Sequence, residues 1–360
     1  MTAYSTLCYQ QYDLPFLVIM VDNPFHYRLA GGGDNLAQSS AGIGLLLKNK
    51  FITMTENHSH LSTLSALSMK KVLVAGATGY LGRYAVQEFK NRGYWVRALV
   101  RNPDKIKQPG PWFAPSIDNL ADEIFIGDAT KPETLAGVCD GMDFVFSSLG
   151  MIKPDFVHSN FDVDYQGNMN ILTPALKANV RKFVYVSVFD AHRMMNIPNV
   201  QAHEKFVREL QAAKIESAII RPNGFFSEIG QFVARAKRGY MIWVGDGYQR
   251  QNPIHGADLA KVCVDAMEGS EKEVEAGGPE VFTYHEMVDL ACEIAGTKPA
   301  FIPLPFWFAD GLAAVVGIFN PDVRDVALFA TTLSKIDIVS PKHGTHRLRD
   351  FFEQCKTLAT

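Results

Sequence analysis

With 360 residues, 47% of them hydrophobic and 20% charged, and a formal net charge of −3, the chain suits a soluble globular protein with a sizeable core in one large or two smaller domains. Lysine and arginine form no long run, which argues against a phosphate-tracking nucleic-acid surface and leaves a local basic pocket open. Five scattered cysteines (Cys8, Cys139, Cys263, Cys292, Cys355) without a Cys-x-x-Cys pair argue against a zinc site or disulfide framework and point to a reducing compartment.

Residues 1–68 carry few charges, an apolar run LPFLVIMV at 14–21 and a glycine cluster from Gly31 to Gly33. No basic region precedes the apolar run, and Arg28 stands against Asp13, Asp22, Asp34 and Glu56, so secretory and transit signals fit poorly. The expectation is an extension, disordered or upstream of a natural start at Met69. A targeting segment, with a plastid destination, is the alternative to a cytoplasmic protein.

From Met69 onward strands and helices alternate. KVLVAG (71–76) reads as a buried strand, and Leu81, Ala85, Val86 and Phe89 share one helical face over 81–90, with Gly93 as the stop. YWVRALV (94–100) and EIFIGD (123–128) are the next strands, the latter followed by Thr130-Lys-Pro-Glu133 at capping-box spacing. DFVFSSLG (143–150), a helix over about 162–179, KFVYVSV (182–188), a helix near 202–213 and ESAIIRP (216–222) complete the series. This alternation predicts parallel pairing and a doubly wound α/β sheet, a Rossmann fold over 69–224. Beyond 224 the rhythm loosens, which predicts a smaller C-terminal substrate lobe over 225–360, partly returning to the sheet. Asp258 lies near one helix start there, and Thr283-Tyr-His-Glu286 caps another. FIPLPFWFADGLAAVVGIF (301–319) is broken by Pro303, Pro305 and Asp310 and reads as core helix or pocket wall; no membrane span is expected.

Gly76, Gly79 and Gly82 stand between the first strand and the first helix. There Gly76 allows the sharp turn, Gly79 clears the way for a phosphate, and Gly82 lets helix and strand pack closely. The second strand ends in Val100-Arg101-Asn102, with Lys105 and Lys107 beyond. A cation at that place suits a 2′-phosphate, so NADPH is expected over NADH; Arg101 as a solvated strand end is the plain alternative, and Arg83 a weaker second cation. No metal constellation is visible.

GATGYLG (76–82), VRNPDK (100–105), GDATKPETL (127–135) and DYQGNMNIL (164–172) resemble extended and atypical short-chain dehydrogenase/reductases. HEKFVRELQAAKIESAIIRPNGFF (203–226) is similar to the NmrA-like branch, and RPNGFF, VGDG and GGPEVFTYHEM look like its divinyl chlorophyllide reductase-like and isoflavone reductase-like members. The resemblance spans about 70–355. It implies that Gly76, Thr78, Gly79, Tyr80, Leu81 and Gly82 line the pyrophosphate, that Asp128 and Ala129 face the adenine, and that Ser148, Leu149 and Gly150 flank the ribose. It also brings Pro222 to the nicotinamide amide. For Asp128 and Ser148, a loop or capping role reads equally well from the residues alone.

Many relatives of that superfamily carry Tyr-x-x-x-Lys, where the tyrosine donates a proton and the lysine holds the ribose. The family-like lysine is Lys205, with Gln201 four residues before it, so the carbonyl-reducing apparatus is incomplete. Lys205 and, more loosely, Ser187 are the catalytic candidates; Tyr165, His203 and His255 could also enter the cleft. Two readings stand: an NADPH-dependent oxidoreductase acting on a small, flat or conjugated substrate, or an NADPH-binding redox sensor or assembly factor with a protein partner. Phe225, Phe226, Phe232, Trp243, Phe306, Trp307 and Phe308 would wall the substrate site or belong to plain core.

Overall fold

The computed structural model describes residues 69–151, 158–238, 241–298, 301–319 and 321–358; the expected extension over 1–68, and Cys8 with it, lies outside them. In chain order, β1 (Lys71–Ala75), α1 (Tyr80–Asn91), β2 (Trp95–Val100), β3 (Glu123–Ile126) and β4 (Phe144–Ser147) come first. A π-helical turn at Phe161–Gly167 then runs into α2 (Asn168–Lys177), followed by β5 (Lys182–Val186), α3 (Pro198–Ala212) and β6 (Glu216–Pro222). Short α4 (Phe226–Ile229) and α5 (Gln231–Ala236), β7 (Met241–Val244), β8 (Arg250–Gln251), α6 (Gly256–Glu268) and β9 (Glu273–Ala276) lie beyond. The chain closes with β10 (Phe282–Thr283), α7 (Tyr284–Ala295), β11 (Phe301–Leu304), α8 (Phe306–Phe319), α9 (Pro321–Leu333) and α10 (Leu348–Leu358).

The main sheet runs β3-β2-β1-β4-β5-β6-β9, and each of its pairings is parallel. This is the doubly wound Rossmann order with one strand added at the β6 edge. Both faces are covered, which is why the central strands read as continuous apolar runs. Val72 and Val74 of β1 pack with Ala85, Phe89, Leu259 and Cys263 under α1 and α6. Leu73 and Ala75, on the opposite pleat, pack with Ile171, Phe206 and Leu210 of α2 and α3. A third cluster joins α5, α7 and α10 through Phe232, Met287, Ala291 and Phe352.

The seventh strand escapes a sequence reading because its stretch, EVEA, leaves both glutamates exposed and buries only Ala276. Charged residues on an outer strand discourage further pairing. Thr283 makes the expected capping box: Glu286 N–H donates to its Oγ1 (3.1 Å), and Thr283 N–H donates to Glu286 Oε2 (2.7 Å). The box expected at Thr130 is not formed. A four-residue 3-10 turn starts after Lys131 instead, so Thr130 is not the N-cap, and the N-cap Lys131 makes no side-chain cap bond. The Thr130 hydroxyl therefore donates to Asp128 Oδ1 (2.8 Å). The apolar stretch at 301–319 is corrected as well. Ala309 is buried, yet Trp307 is 76% exposed and Phe308 40%, so these rings are neither core nor pocket wall. Among the described residues no helix is long and apolar enough to cross a membrane.

Candidate cofactor and substrate site

The first turn after β1 explains its three glycines. Gly76 sits at φ +81°, and a Cβ on it would lie 2.9 Å from Ser148 Oγ, in the turn after β4. Gly82 comes so near the strand end that a Cβ would stand 2.0 Å from the Gly76 carbonyl oxygen. A Cβ on Gly79 would meet only that same oxygen, at 3.2 Å, within 4 Å. Gly79 is the N-cap of α1 and brings no side-chain cap; no acidic residue occupies the first turn. The free N–H groups of that turn and the positive end of the helix dipole are thus presented to a cavity that Gly79 lines. The place is the β1/β4 switch point, where strand order reverses. These residues fit a dinucleotide's diphosphate.

The cavity encloses about 290 Å³. Gly79–Gly82 and Ser148–Met151 form one side, and Val186–Phe189 with Pro222–Phe225 the other. Met194, Ile197, Phe329, Leu333 and Ile338 add apolar side chains to its lining, beside the carboxyl of Asp325, and among the described residues no lysine or arginine lines it. Of the seven aromatics expected to wall a substrate site, Phe225 does so; Phe226, Phe232 and Trp243 are buried core.

Gly79, Tyr80, Leu81, Gly82, Ser148, Ser187 and Pro222 all line this space, while Gly76, Thr78, Arg101, Asp128, Ala129 and Lys205 do not. Gly76 and Thr78 belong to the turn itself. The Tyr80 ring is buried, and its hydroxyl accepts from Gly256 N–H (3.1 Å) at the start of α6; burial pushes that phenol well up. Arg101 is exposed at the end of β2. Burial alone would raise the Asp128 carboxyl, but Thr130 N–H and hydroxyl donate to it, and the charges of Arg101 and Lys131 add to this. The net result holds it below the usual range. Ala129 is buried, and its carbonyl accepts from Asn170 Nδ2 (2.8 Å).

Arg83 is removed from the candidates. It is 3% exposed, and its guanidinium donates to the carbonyls of Thr78 (3.1 Å), Gln108 (2.8 Å), Pro115 (2.9 Å) and Lys105. It clamps the 105–115 segment to the glycine turn with four of its five N–H donors and is buried there.

Helix α3 carries the main revision. Lys205 Nζ lies 4.0 Å above the Tyr165 ring and 5.7 Å from that of Phe161, away from the cavity. The pair at i, i+4 spacing that does line the cavity is Asn199 and His203. His203 Nδ1 and the Tyr185 hydroxyl share a 2.6 Å hydrogen bond, and His203 Nε2 is 4.0 Å from Asp164 Oδ2. Burial lowers the His203 pKa to about 4, leaving a neutral ring. Asp164 is fully buried, accepts from Met151 N–H (2.6 Å) and Asn199 Nδ2 (2.6 Å), and is pushed well up by desolvation. Ser187 Oγ donates to Glu204 Oε1 (2.8 Å), whose carboxylate also pairs with Arg221. Tyr165 donates to Glu209 outside the cavity (3.5 Å), and His255 caps α6 and stacks on His346 at 4.2 Å. Of the three additional candidates, His203 alone lines the cavity.

One carboxyl on the cavity wall carried no sequence signal. Glu228, in α4, has Oε2 3.3 Å from the Phe225 N–H that donates to it, and desolvation pushes it up to about 7.

Residues 76–269, just over half of the chain, match the family described as NAD(P)H-binding. The chain is 26% identical over 269 residues to the photosystem II assembly factor Ycf39 of Trieres chinensis, covering 73% of this chain and 82% of that protein. It is 27% identical over 315 residues to the chloroplastic divinyl chlorophyllide a 8-vinyl-reductase of Zea mays, covering 79% and 78%. Among solved structures, the NADPH complex of an Escherichia coli NADPH-dependent quinone oxidoreductase matches with a TM-score of 0.59 and 18% identity, over 80% of this chain and all of that one. At that identity the likeness speaks for the fold.

Proposed function

The chain belongs to the NAD(P)H-binding family, and from that premise we propose that it is an NADPH-dependent reductase of an uncharged, flat, conjugated substrate. A bound reduced nicotinamide supplies a hydride. The observation that carries the reading is the cavity itself, which joins the uncapped start of α1 to a mainly apolar wall that, among the described residues, carries no lysine or arginine. Among the described residues an anionic substrate finds no counter-charge there, whereas an apolar one gains roughly 25 cal/mol per Å² buried. At about 290 Å³ the space lies at the low end of ligand sites, which run from ~300 to 1,000 Å³. The nicotinamide end of the cofactor shares that space, so only a small acceptor or one edge of a larger ring system fits beside it.

In this reading residues 69–224 bind the cofactor and 225–360 complete the substrate wall. The α1 start holds the diphosphate, Ser148 and its neighbours flank a ribose, Pro222 borders the nicotinamide, and Arg101 takes the 2′-phosphate. Asn199 and His203 occupy the places of the tyrosine and lysine, so a neutral imidazole hydrogen-bonds the ribose while Tyr185 fixes its orientation. Lys205 buttresses Tyr165, and Ser187 positions Glu204. Without the tyrosine, carbonyl reduction loses its usual proton donor, which favours a conjugated C=C bond. The relatives named chloroplastic favour a plastid over the cytoplasm.

The test is calorimetry with NADPH and NADH, followed by anaerobic NADPH oxidation with divinyl chlorophyllide a and with 1,4-naphthoquinone. Heat with NADPH and consumption with either acceptor is expected. Absence of heat with both coenzymes sinks the whole assignment.

A second reading, an NADPH-binding assembly factor, is favoured by one specific observation. Ile302 (46%), Trp307 (76%), Phe308 (40%) and Val315 (58%) are exposed on β11 and α8, an apolar surface that suits a protein partner. The assembly-factor relatives agree with it.

A further inference from the structure

We propose that Glu228 is the acid that supplies the proton in this reduction, a step that rests on the reductase reading above. Glu228 stands six residues after Pro222 and lines the same cavity as Pro222 and Gly224. Its carboxyl lies against the loop after β6, since a Cβ on Gly224 would meet Oε2 at 3.2 Å. The Phe225 N–H donates to that same oxygen, which leaves Oε1 to carry a proton.

Elimination supports the choice. Among the described residues, the titratable groups sharing the cavity are Tyr80, His203, Tyr284 and Asp325. Tyr80 and Tyr284 are phenols pushed up by burial, and His203 is neutral. Asp325 is held in an ion pair with Arg324 at 3.4 Å. No lysine or arginine among the described residues lines the cavity, so no close cation forces Glu228 to ionise. Its shift to about 7 leaves about half of it protonated at neutral pH.

With a reduced nicotinamide bound, hydride transfer would form a C–H bond at one end of the conjugated system and move the π pair to the other end. The Glu228 O–H bond breaks, its electrons stay on the carboxylate, and its proton forms a C–H or O–H bond where the pair now lies. Water restores the proton as product leaves.

Glu228→Gln keeps the size and an acceptor for Phe225 N–H while removing the acid. Infrared difference spectra across pH 5 to pH 9 (~2 pH units either side of neutrality) should show in the wild type a protonated-carboxyl band lost near pH 7 that the variant lacks, any band from the buried Asp164 carboxyl being common to both. Calorimetry with NADPH should give dissociation constants within about twofold of each other. Anaerobic NADPH oxidation with divinyl chlorophyllide a or 1,4-naphthoquinone should fall at least ~10-fold, losing the wild-type decline above pH 7. A wild type without the titrating band, or a variant that keeps the wild-type rate and pH profile, overturns the role of Glu228. A wild type that binds NADPH, shows the band and reduces neither acceptor overturns the reductase reading itself.

Discussion

Gly82 and Gly76 approach so closely that a side chain on the first would strike the backbone of the second: the added Cβ would lie 2.0 Å from the Gly76 oxygen and 2.7 Å from its carbonyl carbon. Neither contact is with a flexible group, so α1 would have to move off β1. Gly82→Ala should therefore lower stability by about 1–3 kcal/mol, read as a reduced denaturation midpoint without cofactor. Gly79→Ala makes the opposite comparison. Its Cβ meets one atom at 3.2 Å and otherwise points into open space, so the fold should hold. NADPH affinity should instead drop at least ~10-fold, or about 1.4 kcal/mol, by calorimetry. Equal effects of the two substitutions on folding would contradict the division of labour argued for this turn.

The two arginines weighed for the 2′-phosphate should separate as cleanly. Arg101 is exposed, and Arg101→Asp should leave the thermal midpoint unchanged while raising the NADPH dissociation constant far more than that of NADH. Equal rises for both would remove Arg101 from the 2′-phosphate. Arg83 is spent on four carbonyls, and Arg83→Met strands them. The expected loss is about 1–3 kcal/mol of stability, with the NADPH to NADH affinity ratio unchanged.

What could be read in the sequence was whatever depends on near neighbours. The strand, the glycine turn and the helix over 71–91 follow from local spacing, as does the Thr283 cap. Contacts between distant segments were not legible, such as those that bury Arg83 against 105–115. Glu228 has no spacing signature at all, because its chemistry comes from the cavity around it. Asn199 and His203 did leave a signal. Val200, Phe206, Val207 and Leu210 form the buried stripe of α3, and that helical phase carries 199 and 203 toward the cavity. Reading Lys205 by residue type, in place of phase, passed over the pair that lines the cavity.

The exposed rings on α8 offer a test of the partner reading that is independent of cofactor. Trp307 and Phe308 contact each other edge to face at 5.7 Å, and Trp307 is 76% exposed. Trp307→Gln with Phe308→Gln should change stability by no more than about 0.5 kcal/mol, with NADPH binding intact. Retention on a hydrophobic-interaction column should fall markedly. A collapse in stability would mean that these side chains are covered by the protein's own chain.

Stability should fall in acid through two histidines. His203 and His255 have folded pKa values lowered to about 4, first by burial, against about 6.5 in an unfolded chain. Between these values the unfolded state binds more protons than the folded one, so stability is full above pH 6.5 and declines as pH falls toward 4. For His203, whose side chain is 12% exposed, the loss is at most about 3 kcal/mol. Urea midpoints measured from pH 7.5 to pH 4 (about one unit above the ordinary imidazole pKa down to the shifted one) should show that slope. His203→Gln cannot take up the proton, so it should flatten part of the slope and keep a polar partner for Tyr185. The same variant should weaken NADPH binding, because it alters the side chain on the cavity face of α3. Lys205→Ala, on the Tyr165 side, should change neither. If Lys205→Ala abolished binding and His203→Gln left both binding and acid slope intact, the cavity-facing pair would have to be reassigned to Gln201 and Lys205.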